Sequence, residues 1–394
     1  MTTITSPAAD VLAIHGGTPV LPKPMPFMST GLTGEDIDAA VTVLKSGMLR
    51  AASKCEELEK RIGAVSDAKH AMTCANGTCA LQLAYEPLFA QGAEVLVPAW
   101  SYIATVSMIV ARGCVPVFVD CLEDTFQIDP KDLAAKVSPR TVGIACTHLY
   151  GCPVDIDGVQ RVAVRHGLKV VYDAAQAILA RYNGRGIGAF GDAVTYSFYA
   201  TKNLATGEGG MITCNDDTLA RDIRLLRSHG ETEKYLHERV GYNYRMNDIA
   251  GALGLSRLNR LDAQTQARVR LARRYDQMLS TLAYAVEGLS APATTPGAEP
   301  VYHLYTVKMD LSKFRCTRDE FCKALLAEGV PTAVHYPRSL PLQPALAKFA
   351  KKDTPVADGL ASRIFSLPMH HDVTEEQVRA VEAALRKVAV AMRA

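Results

Sequence analysis

The chain predicts an α/β fold, with a large domain on a mostly parallel sheet and a smaller α+β C-terminal domain. Three observations carry that expectation. Six short apolar runs, AMTCA, EVLVPA, PVFVD, TVGIACTHL, KVVYD and AVTYSF, alternate with helical segments. Uninterrupted apolar runs of this length are strands buried on both faces, as in parallel sheets covered by helices. A helical stretch of more than thirty residues follows, NDIAGALGLSRLNRLDAQTQARVRLARRYDQML, a length that normally bridges domains. Beyond it the turn-rich SAPATTPGAEP separates a tail of mixed strands and helices. The expected division is an N-terminal arm over 1–30, a large domain over 31–260, and a small C-terminal domain over 261–394 with the bridging helix.

Taken in order, the Pro-rich GGTPVLPKPMPF reads as extended arm. Thr33 with Asp36 marks a helix start, and EDIDAAVTVLKSG is amphipathic and closed by Gly47. SKCEELEKRIGAV is a second helix. From His70 the pattern turns to strand, loop and helix: NGT after the first strand opens CALQLAYEPLFA, and IATVSMIVARG, DPKDLAAKV and IDGVQRVAVRHG separate the later strands. After the last of the six strands comes a Gly-rich loop, then the helix DDTLARDIRLLRSHG and a polar loop to Tyr242. YHLYTVKMDL, CTRDEFCKALLAEG, TAVHY and TEEQVRAVEAALRKVAVAM make up the α+β tail.

Composition excludes several classes of function. A formal net charge of +2 over 394 residues gives no electrostatic case for nucleic acid or an anionic membrane surface. MTTITSPAAD has neither a basic start nor an apolar run, so no secretory signal is read, and no apolar stretch approaches membrane-spanning length. Ten Cys without a CxxC pair read as reduced thiols of a cytoplasmic protein, with no metal site expected. No GxGxxG follows the first strand, which disfavours a nicotinamide-dependent dehydrogenase.

The chemistry concentrates between Val171 and Gly210. KVVYD ends on Asp173, AVTYSF leads to Ser197, and a loop then carries Lys202 into EGG. Carboxyl ends of parallel strands share one edge, where ligands bind. An acid, a lysine and small hydroxyl residues at such an edge suit pyridoxal 5'-phosphate (PLP), which needs a lysine for its Schiff base and a carboxylate at its pyridinium nitrogen. Asp173 alone is read as a cap for the next helix, and only its pairing with Lys202 turns the reading toward the cofactor. Gly77 and Thr78 open a helix after a strand, a position whose free N–H groups attract phosphate. Trp100, the only tryptophan, reads as a ring-stacking residue or as core.

DAAQA, GDAVTYSFYATKNLATGEGGMI and GYNYRMNDIAGALGLSRL resemble the motifs of the DegT/StrS-type sugar aminotransferases, from about Gly31 to the final helix. That resemblance implies a PLP-dependent transferase of fold type I. It implies Lys202 as the residue that binds the cofactor, Asp173 at the ring nitrogen, Gln176 near the phenolic oxygen and Trp100 on the ring. Gly77, Thr78 and Ser197 would hold the phosphate, with Asn243 reaching it from the other subunit of a homodimer. His148, Tyr150, Tyr199, Arg245 and His303 are candidate substrate residues, with His335 beside them. The implied reaction moves an amino group from glutamate or glutamine to a nucleotide-linked ketodeoxysugar. A cyclitol ketone such as scyllo-inosose is the alternative, and a non-catalytic PLP-binding regulator a remote one. Cys152 stands where relatives often carry a longer polar residue.

Overall fold

The computed structural model describes residues 11–394 apart from Ala285 and Lys352. The first ten residues of the expected arm lie outside the described residues. Helix α1 (Gly34–Ser46) begins with a reciprocal cap: the Thr33 hydroxyl accepts from the Asp36 N–H, and the Asp36 carboxylate accepts from the Thr33 N–H. It stops at Gly47, whose φ of 70° is open to glycine at no steric cost. Helix α2 (Ser53–Val65) leads into the alternating segment.

That segment runs β1 (His70–Cys74), α3 (Gly77–Leu88), β2 (Glu94–Pro98), α4 (Ala104–Ala111), β3 (Val115–Val119), α5 (Pro130–Ala135), β4 (Thr141–Thr147), α6 (Ile156–His166) and β5 (Lys169–Asp173). After the short hairpin of β6 (Arg181–Tyr182) and β7 (Arg185–Gly186) come β8 (Ala193–Ser197), β9 (Gly210–Cys214) and α7 (Asp217–Arg227). The sheet order is β1-β9-β8-β5-β4-β2-β3. Strand β9 is antiparallel to both neighbours, and every other pairing is parallel. The carboxyl ends of the remaining six strands therefore share one edge. All six strands expected from apolar runs are present. Strand β9 was not expected, because it is five residues long and starts inside the glycine-rich loop.

Alternate residues of the central strands enter opposite cores, as a pleated strand requires. Leu96, Ile144, Val170 and Val194 pack with α2, α6 and the start of the long helix. Val95, Ala145, Val171 and Ile212 pack with α3, α4 and α7. Both faces are dry, which is why these strands read as unbroken apolar runs.

A hairpin of β10 (Glu231–Glu233) and β11 (Leu236–His237) precedes α8 (Asp248–Ala283), which runs through 36 residues, so the boundary expected at residue 260 lies inside this helix. Its Asn247 cap accepts from the Ala250 N–H. Asp248 turns back to accept from the amides of Ala52, Lys54 and Cys55 at 2.8, 3.1 and 3.1 Å, tying α8 to the start of α2. The far half of α8 buries Leu271, Tyr275 and Leu282 in a third core.

That core contains β12 (Leu289–Ser290), β14 (Tyr305–Met309), α9 (Arg318–Ala327), β15 (Ile364–Leu367) and α11 (Glu375–Ala391), with β12, β14 and β15 in one antiparallel sheet. Strand β13 (Ala298–Glu299) joins β6 and β7 instead, and α10 (Pro355–Leu360) packs with the second core. TAVHY, expected in the mixed tail, is irregular apart from a single bridge at Ala333. The described part of the arm lies on the third core through Leu12 and Met25, and the buried Glu328 accepts from the Ala13 and Val20 amides and pairs with Lys387. No described helix is long and apolar enough to cross a membrane.

Candidate active site

The shared strand edge opens on a cavity of about 510 Å³. Asn76, Gly77, Thr78 and Ser197 line it, as do Asp173, Gln176 and Lys202. Tyr102, Tyr199, Glu208, His303, His335 and Tyr336 complete much of the wall. A larger hollow of about 730 Å³ lies between α2, α8 and the β13 ribbon. It carries three arginines and three acids, of which Arg181 and Asp67 form an ion pair, and it holds no lysine. The chemistry therefore belongs to the smaller cavity.

One end of that cavity is the start of α3. Asn76 caps the helix by accepting from the Cys79 N–H at 2.9 Å, which leaves the first-turn amides of Gly77 and Thr78 to a ligand. The turn is pressed against β8 and β9. A Cβ on Gly77 would lie 2.8 Å from the Ser197 Cβ, and one on Gly210 would lie 2.5 Å from the Asn76 carbonyl carbon. Only glycine at both positions lets the helix start reach the sheet edge. The Ser197 hydroxyl accepts from the Tyr199 N–H at 3.3 Å and can donate into the same corner.

Asp173 sits at the other end, nearly buried. One carboxylate oxygen accepts from the Ala175 N–H at 3.0 Å, the other from the Thr105 hydroxyl at 2.7 Å. Thr105 touches Ser101 at 3.1 Å and Thr147 at 3.3 Å, and those two hydroxyls are 2.8 Å apart. Burial pushes the Asp173 pKa up, while the Thr105 and Ala175 bonds and the Lys202 charge pull against it. Such an acid is stabilised as a carboxylate by a cation placed against it.

Lys202 lines the same cavity. Its amine has no hydrogen bond or ion pair to any described residue, and burial lowers its pKa, opposed by Asp173. An unpartnered lysine in a cavity, an acid on one side and a helix start on the other, with glycines where a Cβ would fill the cradle, fit PLP. Gln176 accepts from the Tyr150 N–H at 2.6 Å and donates to the Tyr336 hydroxyl at 3.3 Å, which fixes its amide at the cavity wall.

The structure separates the other expected residues. Trp100 does not line the cavity. It is buried, and its indole N–H donates to the Tyr150 hydroxyl at 3.0 Å. Two residues on, past the end of β2, Tyr102 presents the aromatic face instead, 59% exposed and 6.1 Å from the Tyr336 ring. Tyr150 is buried behind the wall, donating to the His335 carbonyl. His148 is also outside the cavity, stacked on Tyr172 at 4.9 Å, and burial depresses its pKa to about 3. Tyr199 and His303 line the cavity, whereas Asn243 and Arg245 are exposed outside it. Sequence reasoning missed Thr105, Ser101, Thr147, Tyr102, Tyr336 and Asn203. Asn203 was the most accessible of these, being the neighbour of Lys202.

Comparison with known proteins agrees with this geometry. The model of the DegT/DnrJ/EryC1/StrS aminotransferase family matches residues 31–386. The chain is 39% identical over 340 residues to a pleiotropic regulatory protein of Geobacillus stearothermophilus, covering 85% of this chain and 89% of that one. It is 37% identical over 372 residues to the dTDP-3-amino-3,4,6-trideoxy-alpha-D-glucose transaminase of Streptomyces venezuelae, covering 92% and 96%. The crystal structure of S. venezuelae DesV superposes with a TM-score of 0.87 at 36% identity, over 93% of this chain and 99% of that one.

Proposed function

The chain belongs to the DegT/DnrJ/EryC1/StrS aminotransferase family, and on that premise we propose that it moves an amino group from glutamate or glutamine to the ketone carbon of a nucleotide-linked ketodeoxysugar in amino-sugar biosynthesis. It is a PLP-dependent aminotransferase of fold type I. The observation that carries the proposal is the Lys202 amine, without a partner among the described residues, in one cavity with Asp173 and the Gly77–Thr78 helix start.

When bound, PLP supplies an electron sink that stabilises negative charge at a substrate carbon. The Gly77 and Thr78 amides and the Ser197 hydroxyl would bind its phosphate, aided by the α3 dipole. Asp173 would hold a proton on the ring nitrogen, and Thr105 keeps the acid pointed there. Tyr102 would close one face of the ring. Lys202 would anchor the cofactor and then take and return a proton at Nζ, a task favoured by its lowered pKa. His303 and His335, both shifted by burial toward the neutral form, add polar contacts without charge.

The assembly is read as a cytoplasmic homodimer. Ile37 and Leu44 of α1, with Leu32, Met48 and Leu49 beside it, are exposed apolar side chains that a second copy would cover. Asn243 faces outward and would serve the second subunit's phosphate site. One relative is named a pleiotropic regulatory protein, but Lys202 and Asp173 in one cavity favour the enzyme.

The test is the visible absorption spectrum of the purified protein before and after addition of L-glutamate or L-glutamine. A lysine-dependent band that bleaches with one donor and is missing from Lys202→Ala supports the reading and names the donor. The bleached form, challenged with keto-sugars and with scyllo-inosose, then identifies the acceptor by return of the band. A wild-type protein that binds no PLP, or whose band ignores every amino donor, sinks the proposal.

A further inference from the structure

Asn203 follows the cofactor lysine directly and is buried. Each end of its amide has one neighbour. Nδ2 lies 3.4 Å from the Val301 carbonyl oxygen, and Oδ1 lies 3.2 Å from Nδ1 of His303. A backbone carbonyl can only accept, so the end facing Val301 is the NH₂ group. The end facing His303 is then an acceptor, and it requires a proton on Nδ1. Burial opposes a second proton on the ring, and the charges of Lys202, Arg268 and His335 reinforce that. Arg268 donates to the Tyr302 and Met369 carbonyls, and the nearby Asp372 carboxylate offsets part of its charge. A neutral imidazole with its proton on Nδ1 has a lone pair on Nε2. That nitrogen has no partner among the described residues, and the ring lines the cavity beside Lys202.

We propose that Asn203 is a positioning residue that fixes His303 in its Nδ1–H form, so that Nε2 accepts a hydrogen bond from a hydroxyl of the ketone substrate. The proposal rests on the reading of this cavity as a keto-sugar aminotransferase site. A lone pair at this point discriminates by chemistry. A hydroxyl has a proton to give. A ketone, carboxylate or phosphate oxygen has none and would meet the nitrogen lone pair to lone pair. The site is thus built for a substrate with a free hydroxyl near the reacting carbon, and against one with an anionic group there. The polar chain Val301–Asn203–His303 also couples the lysine loop to the segment before β14, so the residue next to the cofactor anchor sets what the substrate pocket can recognise.

The experiment has two readouts. Long-range ¹H–¹⁵N spectra of the PLP-loaded protein labelled at histidine, with His303 assigned by its loss in His303→Gln, report the tautomer directly. The neutral Nδ1–H pattern is expected in the wild type. In Asn203→Leu the fixed pattern should give way to a mixture. In Asn203→Asp the added carboxylate should convert the ring to imidazolium, making Nε2 a donor. Kinetically, both variants should keep the visible band while kcat/KM for a hydroxylated keto-sugar falls about tenfold, the value of one hydrogen bond. The same ketone lacking that hydroxyl should be nearly indifferent to the substitutions. A wild-type His303 carrying its proton on Nε2, or doubly protonated, overturns the proposal, as do variants that leave discrimination unchanged. Asn203→Asp, close in shape to the original, decides the matter if Asn203→Leu fails to fold. Loss of the wild-type response to amino donors would count against the aminotransferase reading instead, and the tautomer spectrum would still judge Asn203.

Discussion

The hydroxyl cluster behind Asp173 shows how much a site depends on residues that carry no chemistry of their own. The Thr105 proton goes to Asp173, so Thr105 must accept from Ser101 or Thr147, and the chain of donors is polarised toward the carboxylate. Thr105→Val removes that donor while keeping the shape. The expected result is PLP binding weakened about tenfold or more, since a bond to a charged group is worth about 1.5–3 kcal/mol, with Thr105→Ser restoring it. Spectral titration of the apoprotein with PLP checks this. Asp173 and Lys202 were legible in the sequence only as a pair, since a strand-end acid alone reads as a helix cap and the lysine in its glycine-rich loop gives it a partner. Thr105 was not, because a threonine in an apolar helix reads as packing. The ring-stacking role was placed on Trp100 by resemblance alone, whereas the backbone past β2 turns Trp100 into the core and Tyr102 to the cavity.

Among the elements, α8 has the greatest reach, and Asp248 fixes where it starts. This acid is almost wholly buried, which by itself would raise its pKa, but the bonds from Lys54, Ala52 and Cys55 bring it below the ordinary carboxylate value. A carboxyl group whose pKa is depressed on folding contributes stability above its unfolded pKa, and that contribution is lost as pH falls through the folded value. Asp248→Ala should lower the unfolding free energy by about 3 kcal/mol at pH 7, measured by denaturant titration. The difference from wild type should shrink as pH drops below 4. An undiminished difference in acid would show that the charge is not what anchors the helix. The helix itself was plain from its length and its Asn247 cap. Strand β9 was hidden because glycine begins it and the lysine motif runs straight into it, so no apolar periodicity had room to develop.

For the molecule as a whole, the third core is closed by a segment far from it in sequence. The arm supplies Leu12 and Met25, and Glu328 holds two of its amides while pairing with Lys387. Removal of residues 1–25 would expose that core and leave Glu328 with only Lys387 as a partner. A fall in the melting temperature of the truncated protein is expected, larger than the fall caused by removing residues 1–10 alone. Equal effects would mean the arm is ornament. The parallel sheet was legible because both its faces are dry, but the arm's docking was not, since Pro-rich segments have no periodicity to betray what they cover. The cavity wall has a further consequence. The residues that would anchor PLP lie between Asn76 and Glu208, and the wall's histidines and Tyr336 come from beyond residue 300, with the 36-residue α8 between. Exchange of genetic material at a crossover within α8 would graft a foreign recognition surface onto an unchanged reaction centre. Descent by such shuffling would let one ancestral catalyst diversify its acceptors without reinventing its chemistry.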